Sequence, residues 1–355
     1  MKYIKHTAPG FPIPEVVAYD ETYSNEVGHP FILMTRMPGM SLQEFWLCDE
    51  QSLSPTDLQT KRKVILTSLA QTMAQLSELS FPESGMLQCS TDRRTRKPTL
   101  NKRPMVKYRF DFGYGKGEER ESYSEPQART CKQYFKNRLV TWKKKYTNSK
   151  PGLFPEEAEA TPQYKLSAFI IDQMPDDAGE DAFVVAHPDF NWQNILVDPE
   201  SGEVTGVIDW DGVHTVPRQL GGAPLPLFLA SEFFDQDWEE MQTWLGCSSA
   251  DFQELRQHYV ESMQEALEGT ECEDAQHTAK SHVWMLLWMA LSGPMQMEEF
   301  YWKLLWCMGK GEMEVPEGDE GMDAVVELEV DFEEDVTSED GVVLWEYKAN
   351  KAFGL

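Results

Sequence analysis

The sequence predicts an α+β chain in which short strands precede and punctuate a mainly helical body. Three observations carry that expectation. Short apolar runs bounded by turn residues, such as Phe31-Ile32-Leu33-Met34 and Phe183-Val184-Val185-Ala186, have the length of strands. Longer stretches place apolar residues at helical spacing, as Leu58, Ile65, Leu69, Met73, Leu76 and Leu79 do. A chain of 355 residues, 41% of them hydrophobic, can bury one sizeable core, or a small strand-bearing lobe beside a larger helical one.

In order along the chain, Pro55 to Ser80 reads as a core helix whose start is marked by Ser54-Pro55-Thr56-Asp57. Cys89 to Ala128 is polar and charge-mixed and reads as a surface insertion, at about 89–128; its cluster Arg93-Arg94-Thr95-Arg96-Lys97 is an anion site or, more simply, a solvated loop. Arg129 to Tyr146 and Gln163 to Met174 read as helices. Phe183 to Ala186 is a buried strand followed by a polar loop; Ile195 to Val197 and Val204 to Ile208 form a hairpin around the turn Asp198-Pro199-Glu200-Ser201-Gly202. Leu225 to Phe234, Asp251 to Leu267 and Thr278 to Trp306 then read as helices. Trp284, Trp288, Trp302 and Trp306 recur near helical spacing, which means core packing or, as the sharper alternative, an aromatic cage for a quaternary amine. Beyond Lys310 there is no Lys or Arg until Lys348, and Val326, Leu328, Val330 and Phe332 alternate with acids. That period of two predicts a strand, paired as a hairpin with Val342 to Trp345; the competing reading is a disordered acidic tail.

The most specific segment is His187-Pro188-Asp189-Phe190-Asn191-Trp192-Gln193-Asn194, followed past the hairpin by Val207-Ile208-Asp209-Trp210. The hairpin brings Asn194 and Asp209 together across its open end. An amide carbonyl and a carboxylate are hard oxygen donors of the kind magnesium takes, together with waters and phosphates. Asp189 is left to orient a hydroxyl or accept its proton. Positioning and cation-assisted charge neutralisation are what phosphoryl transfer asks of a protein. Read alone, the same Asp and Asn residues would simply serve turns. Asp211 is read as a turn residue in preference to a further ligand.

These residues resemble the His-x-Asp-x-x-x-x-Asn and Ile-Asp-Trp signatures of the aminoglycoside phosphotransferase and choline kinase-like family, in a fungal-type member. Phe11 to Asp20 looks like a strand entering that family's small lobe, Phe31 to Gly39 like its strand and hinge, and Leu76 to Leu87 like the end of a core helix. The resemblance implies a protein kinase-like fold with a truncated small N-terminal lobe and a mainly helical C-terminal lobe. Its divisions would be 1–40 (small-lobe remnant and hinge), 41–310 (large lobe with catalytic loop) and 311–355 (acidic extension). It implies an ATP-dependent phosphotransferase acting on a small-molecule hydroxyl, with Asp189 catalytic, Asn194 and Asp209 holding Mg2+, backbone groups near Thr35 and Met37 receiving adenine, and His187 buttressing the loop. The family's glycine-rich hairpin and phosphate-pairing lysine are not found in order upstream: Met1 to His6 resembles the end of the helix that follows them, and Lys2 and Lys5 come too late. A truncated gene model, a short and weakened enzyme, or a non-catalytic pseudokinase-like binding or scaffold protein are the readings this leaves. Asp111-Phe112-Gly113 and Gly113-Tyr114-Gly115-Lys116-Gly117 imitate kinase motifs, but both precede the catalytic loop and read as loop punctuation.

Composition bounds the rest. A net charge of −28 disfavours a nucleic-acid partner, which demands neutralising cations, and the resemblance makes an amine-bearing, cationic acceptor the natural expectation. No apolar run approaches the roughly 20 residues that span a bilayer, and no leader stands at Met1. The six cysteines form no Cys-x-x-Cys pair. The expectation is a cytoplasmic protein with free thiols and no membrane partner.

Overall fold

The computed structural model describes residues 1–48, 54–91, 98–103, 105–108, 122–149, 155–176, 178–230, 247–270 and 272–310, and, further on, 324, 327–329, 331, 332, 335 and 338–353. Helix α1 (Lys2–Thr7) buries Ile4, and Phe11 and Ile13 follow it into the core. Strands β1 (Val16–Asp20) and β2 (Phe31–Met34) form an antiparallel ribbon with Tyr19 opposite Ile32. After the hinge come β3 (Met40–Ser41) and α2 (Leu42–Cys48), which buries Leu42, Phe45 and Trp46.

Helix α3 (Pro55–Ala74) begins where Ser54 Oγ accepts the Asp57 N–H at 3.2 Å and Pro55, which lacks an N–H to satisfy, takes the first turn. A 3-10 turn, Gln75–Glu78, ends it. Strands β4 (Ser80–Phe81), β5 (Gly85–Thr91), β6 (Pro98–Arg103), β7 (Met105–Tyr108) and β8 (Ser122–Glu125) follow, then α4 (Cys131–Ser149), α5 (Pro155–Glu159) and α6 (Pro162–Gln173). Next come β9 (Phe183–Ala186), β10 (Ile195–Val197), β11 (Val204–Val207) and β12 (His214–Pro217). Helix α7 (Ser249–Leu267) opens with a capping box between Ser248 and Asp251 and packs along α3. Helices α8 (Ala275–Thr278), α9 (Ser281–Ala290), α10 (Pro294–Lys310) and α11 (Glu339–Phe353) complete the described chain.

Two sheets position the site. In the order β11-β10-β3, β3 lies on the β10–β11 hairpin; in the order β4-β9-β12-β5-β6, β9, the strand feeding the candidate loop, lies between β4 and β12. The hinge reaches the hairpin through Gly39. Its φ of +95° is left-handed, and a Cβ there would meet Thr205 Oγ1 and the Val197 carbonyl, the latter at 2.6 Å. Thr205 Oγ1 donates to the Pro38 carbonyl at 2.7 Å, so hinge and hairpin form one unit.

The described part of Cys89 to Ala128 contains strands, with β5 paired to β6 and β7 to β8, while the basic cluster Arg93 to Lys97 and both imitation motifs lie outside the described residues. Several other expectations need correction. Leu76 to Leu87 contains only a 3-10 turn before it enters β4 and β5. The long helix Thr278 to Trp306 is broken at Ser292-Gly293 and restarts at Pro294, which cannot donate to a continuing helix. The described part of Leu225 to Phe234 is a 3-10 turn, Leu227–Leu229. At the carboxyl end helix replaces the expected hairpin: α11 carries Val342 to Trp345, and Leu328 and Phe332 are buried four residues apart. Nor do the tryptophans form a cage. Trp284 packs against Phe135 and Phe353, Trp306 is buried, and Trp302 packs edge-on to Tyr301. No helix among the described residues is long and apolar enough to cross a membrane.

Candidate active site

The catalytic-loop candidate is the turn between buried β9 and the β10–β11 hairpin. A strand buried along its whole length fixes where the polar residues after it emerge. His187 is buried at its end, and both ring nitrogens are engaged: Nδ1 accepts the Asp189 N–H at 3.2 Å, and Nε2 meets the Ile208 carbonyl at 2.8 Å. An accepting Nδ1 puts the proton on Nε2. The ring thereby ties the backbone of Asp189 to the residue before Asp209. It also lies edge-on to Trp210, 4.6 Å between centroids, and Trp210 packs edge-on to Phe11.

Asp189 is held through one oxygen. Its Oδ2 accepts from Asn194 Nδ2 at 3.0 Å and from Gln193 Nε2 at 3.0 Å, while Asn194 Nδ2 also reaches the Asp189 carbonyl at 2.9 Å. Among the described residues Oδ1 accepts no hydrogen bond, and neither Asp189 nor Asp209 has a basic partner. Asn194 is buried, and with its amide nitrogen committed to Asp189 its Oδ1 remains as an oxygen that can coordinate a cation or accept a hydrogen bond. The Asn194 carbonyl accepts the Ile208 N–H at 2.9 Å, closing the hairpin one residue before Asp209. Asp209 has φ of 63°, the one non-glycine left-handed residue among those described. Such strain persists where the surroundings over-determine it, and Asp is one of the few side chains that tolerates it.

Asp189, Asn194 and His187 are thus joined in one hydrogen-bonded network, which reaches Asp209 through the backbone of its neighbour Ile208. Thr35 and Met37 lie in the segment between β2 and β3. Thr35 exchanges two bonds with Glu15, its N–H donating to the Glu15 carbonyl and its Oγ1 accepting the Glu15 N–H, both at 2.9 Å. Met37 lies against Gly206 of β11, where an added Cβ would come 3.0 Å from the Met37 Cβ. Asp211 is exposed in the turn before β12. Sequence reasoning missed Gln193, whose role depends on the turn that folds it back onto Asp189. It also missed the Val207 N–H bond to the Pro12 carbonyl, 2.8 Å, which pins the front segment to the hairpin.

Burial pushes His187 below its ordinary pKa, outweighing the Ile208 carbonyl and the Asp189 and Asp209 carboxylates that pull it up. Burial also lowers His277, and it takes His282 down to about 3. The folded forms are neutral, so the contribution is full above the unfolded pKa of about 6.5 and is lost as pH falls through that value toward the folded ones. Between pH 7.5 and 5.5, His282 alone should remove about 1.4 kcal/mol of stability. Denaturant melts at the two pH values check this: the midpoint falls at pH 5.5, and falls less in His282→Phe. Equal midpoints would contradict it.

A metal can be tested against these donors. Among the described residues no three His, Cys, Asp or Glu side chains are grouped to enclose an ion. Magnesium, however, is usually held by only one or two protein oxygens and completed by water and phosphate. Asn194 Oδ1 and the uncompensated Asp209 carboxylate fit that pattern.

A family profile described as APH, phosphotransferase enzyme family, matches residues 1–219, which span β1 through the loop and hairpin. The chain belongs to that family, and its fold is α+β, as predicted from sequence. It is 25% identical over 256 residues to a subtelomeric hrmA-associated cluster protein of Aspergillus fumigatus, covering 58% of this chain and 47% of that one. It is 25% identical over 202 residues to acyl-CoA dehydrogenase family member 11 of Rattus norvegicus, covering 57% and 19%. The chain therefore spans about half the length of the fungal relative and a fifth of the rat one. A solved putative aminoglycoside phosphotransferase from Ralstonia eutropha aligns over 99% of this chain and 81% of its own, at 14% identity and a TM-score of 0.43.

Proposed function

We propose that the chain is a phosphotransferase that moves the γ-phosphoryl group of ATP to the hydroxyl of a small molecule. The observation that carries this reading is the Asp189–Asn194 hydrogen bond, closed onto the residue before Asp209 by the hairpin. Asp189, held by Gln193 and Asn194 through Oδ2, keeps Oδ1 to orient the acceptor hydroxyl and take its proton. The acceptor oxygen bonds to the γ-phosphorus as the bond to the β,γ-bridging oxygen breaks; the proton passes from Asp189 to water, leaving ADP and a phosphate monoester. His187 keeps the loop in register from its neutral tautomer. Asn194 Oδ1 and Asp209 would hold Mg2+, which supplies neutralisation of phosphate charge. The hinge at Thr35 and Met37 would receive adenine. Residues 1–40 would then be small-lobe and hinge, 41–310 the large lobe and 311–355 an acidic extension, in a cytoplasmic enzyme.

Titration calorimetry with Mg·ATP tests this. Binding by the unmodified chain that is weakened at least tenfold in Asp209→Ala, with the melting profile unchanged, supports the site. Absence of any nucleotide binding rejects it and favours the second reading, a non-catalytic binding protein.

A further inference from the structure

Beside the loop lies a cavity of about 230 Å³ that the phosphotransferase chemistry does not itself account for. Pro188 and Phe190, the residues on either side of Asp189, both line it, so it adjoins the loop that carries the group that would orient an acceptor. Its far wall is α9, through Met285, Trp288 and Met289. Among the described residues, no Asp, Glu, Lys or Arg side chain lines it. Its two histidines add no fixed charge of use to a cation. His187 is kept neutral by burial, and His214 turns Nδ1 to the Gly212 carbonyl at 2.9 Å.

The aromatic wall argues the same way. Trp288 is the one member of the tryptophan series that reaches the cavity, and the buried Arg138 guanidinium already stands over its ring, 4.6 Å from the centroid. A second cation at that ring would meet a like charge in place of an unoccupied π-face. An amine entering the cavity would also lose its hydration, with no carboxylate among the described lining residues to replace it. An apolar body pays neither penalty, since methionine and tryptophan surfaces are what remain for it to contact. Size narrows the class further. An apolar cavity of about 150 Å³ takes a benzene ring, and whole drug-sized ligands need roughly 300–1,000 Å³. The space here suits a single ring or a short branched chain, and is too small for a polyamine sugar.

We infer that the acceptor is a neutral alcohol whose apolar end fills this cavity while its hydroxyl faces Asp189. This rests on the phosphotransferase reading for the role of the hydroxyl, but not for the ligand class. It replaces the cationic acceptor that net charge and family resemblance suggested.

An isosteric pair tests it: 3,3-dimethylbutan-1-ol and choline differ by a quaternary carbon against a quaternary nitrogen. Binding is measured by saturation-transfer NMR on the full chain without nucleotide, and turnover separately with Mg·ATP. The alcohol should bind at least tenfold more tightly than choline. Met289→Asp, which sets a carboxylate in the half-buried wall, should narrow or reverse that preference, with Met285→Glu as a second variant if the first does not fold. Choline binding as well as or better than the alcohol overturns the proposal, as does failure of both to bind at millimolar concentration. If the alcohol binds with the expected preference but Mg·ATP does not bind, the ligand class stands and the phosphotransferase reading falls. If choline is the better phosphoryl acceptor, the reverse holds.

Discussion

Asp189→Asn should lower kcat by about 10²- to 10⁴-fold, the range a positioned general base contributes, while leaving Mg·ATP affinity within about twofold. The asymmetry of the carboxylate explains why. Gln193 and Asn194 both donate to Oδ2, and an asparagine oxygen can take that place. Its amide nitrogen would then stand where Oδ1 was, unable to accept a proton from the acceptor. The fold and the hairpin would be untouched, because the loop is fixed mainly by His187 and by backbone bonds. Steady-state kinetics beside calorimetry would read the separation. A kcat within threefold of the unmodified protein would remove Asp189 from the chemistry.

The largest stability effect should come from Arg218, well away from the reacting atoms. Its Nε meets Asp274 Oδ1 at 2.6 Å, its Nη1 donates to the Asp181 carbonyl at 2.8 Å, and its Nη2 donates to the Ser77 carbonyl at 2.9 Å and reaches Cys272 Sγ at 3.2 Å. One guanidinium thus joins the turn after α3, the approach to β9, the exit of β12 and the start of α8. Asp274 is 1% exposed, so removing the cation strands a buried carboxylate. Arg218→Ala should cost about 3–5 kcal/mol on that account. The double variant Arg218→Ala with Asp274→Ala should be less destabilised than the single one, because it no longer buries an unpaired charge. Denaturation midpoints with constant slope would measure both. A single-variant loss under about 1 kcal/mol would show that this node does not hold the sheet to the helices.

Much of this architecture is legible locally. The strand–loop–hairpin unit is announced by an all-apolar run, a polar turn and the Asp198-to-Gly202 reversal, and each of these is a near-neighbour signal. The same holds for α3, α6 and α7, where Ser54, Thr161 and Ser248 mark the first turns. Misreadings arise where pattern is ambiguous or pairing is remote. Leu328 and Phe332 satisfy period two, but they are also four apart, which is one helical face; with Trp345 and Ala349 spaced alike, packing against α6 and α10 selects helix. The β5–β6 pairing joins residues whose polar character gave no apolar alternation to read. Within the site, the roles of Asp189, Asn194 and Asp209 were suggested by order in the chain. The engagement of Gln193 and the uncharged cavity were not, because both depend on which side chains distant segments bring to the loop. Trp288 shows the limit most clearly: its spacing marks a helix face, while the Arg138 across its ring is 150 residues away.

Electron paramagnetic resonance of Mn2+, titrated with and without ATP, tests most directly whether one cation joins the loop to the hairpin. One nucleotide-dependent Mn2+ per chain is expected, lost in both Asn194→Ala and Asp209→Ala and retained in Asp189→Asn. Mn2+ binding that ignores ATP, or that survives both of the first two substitutions, would contradict it.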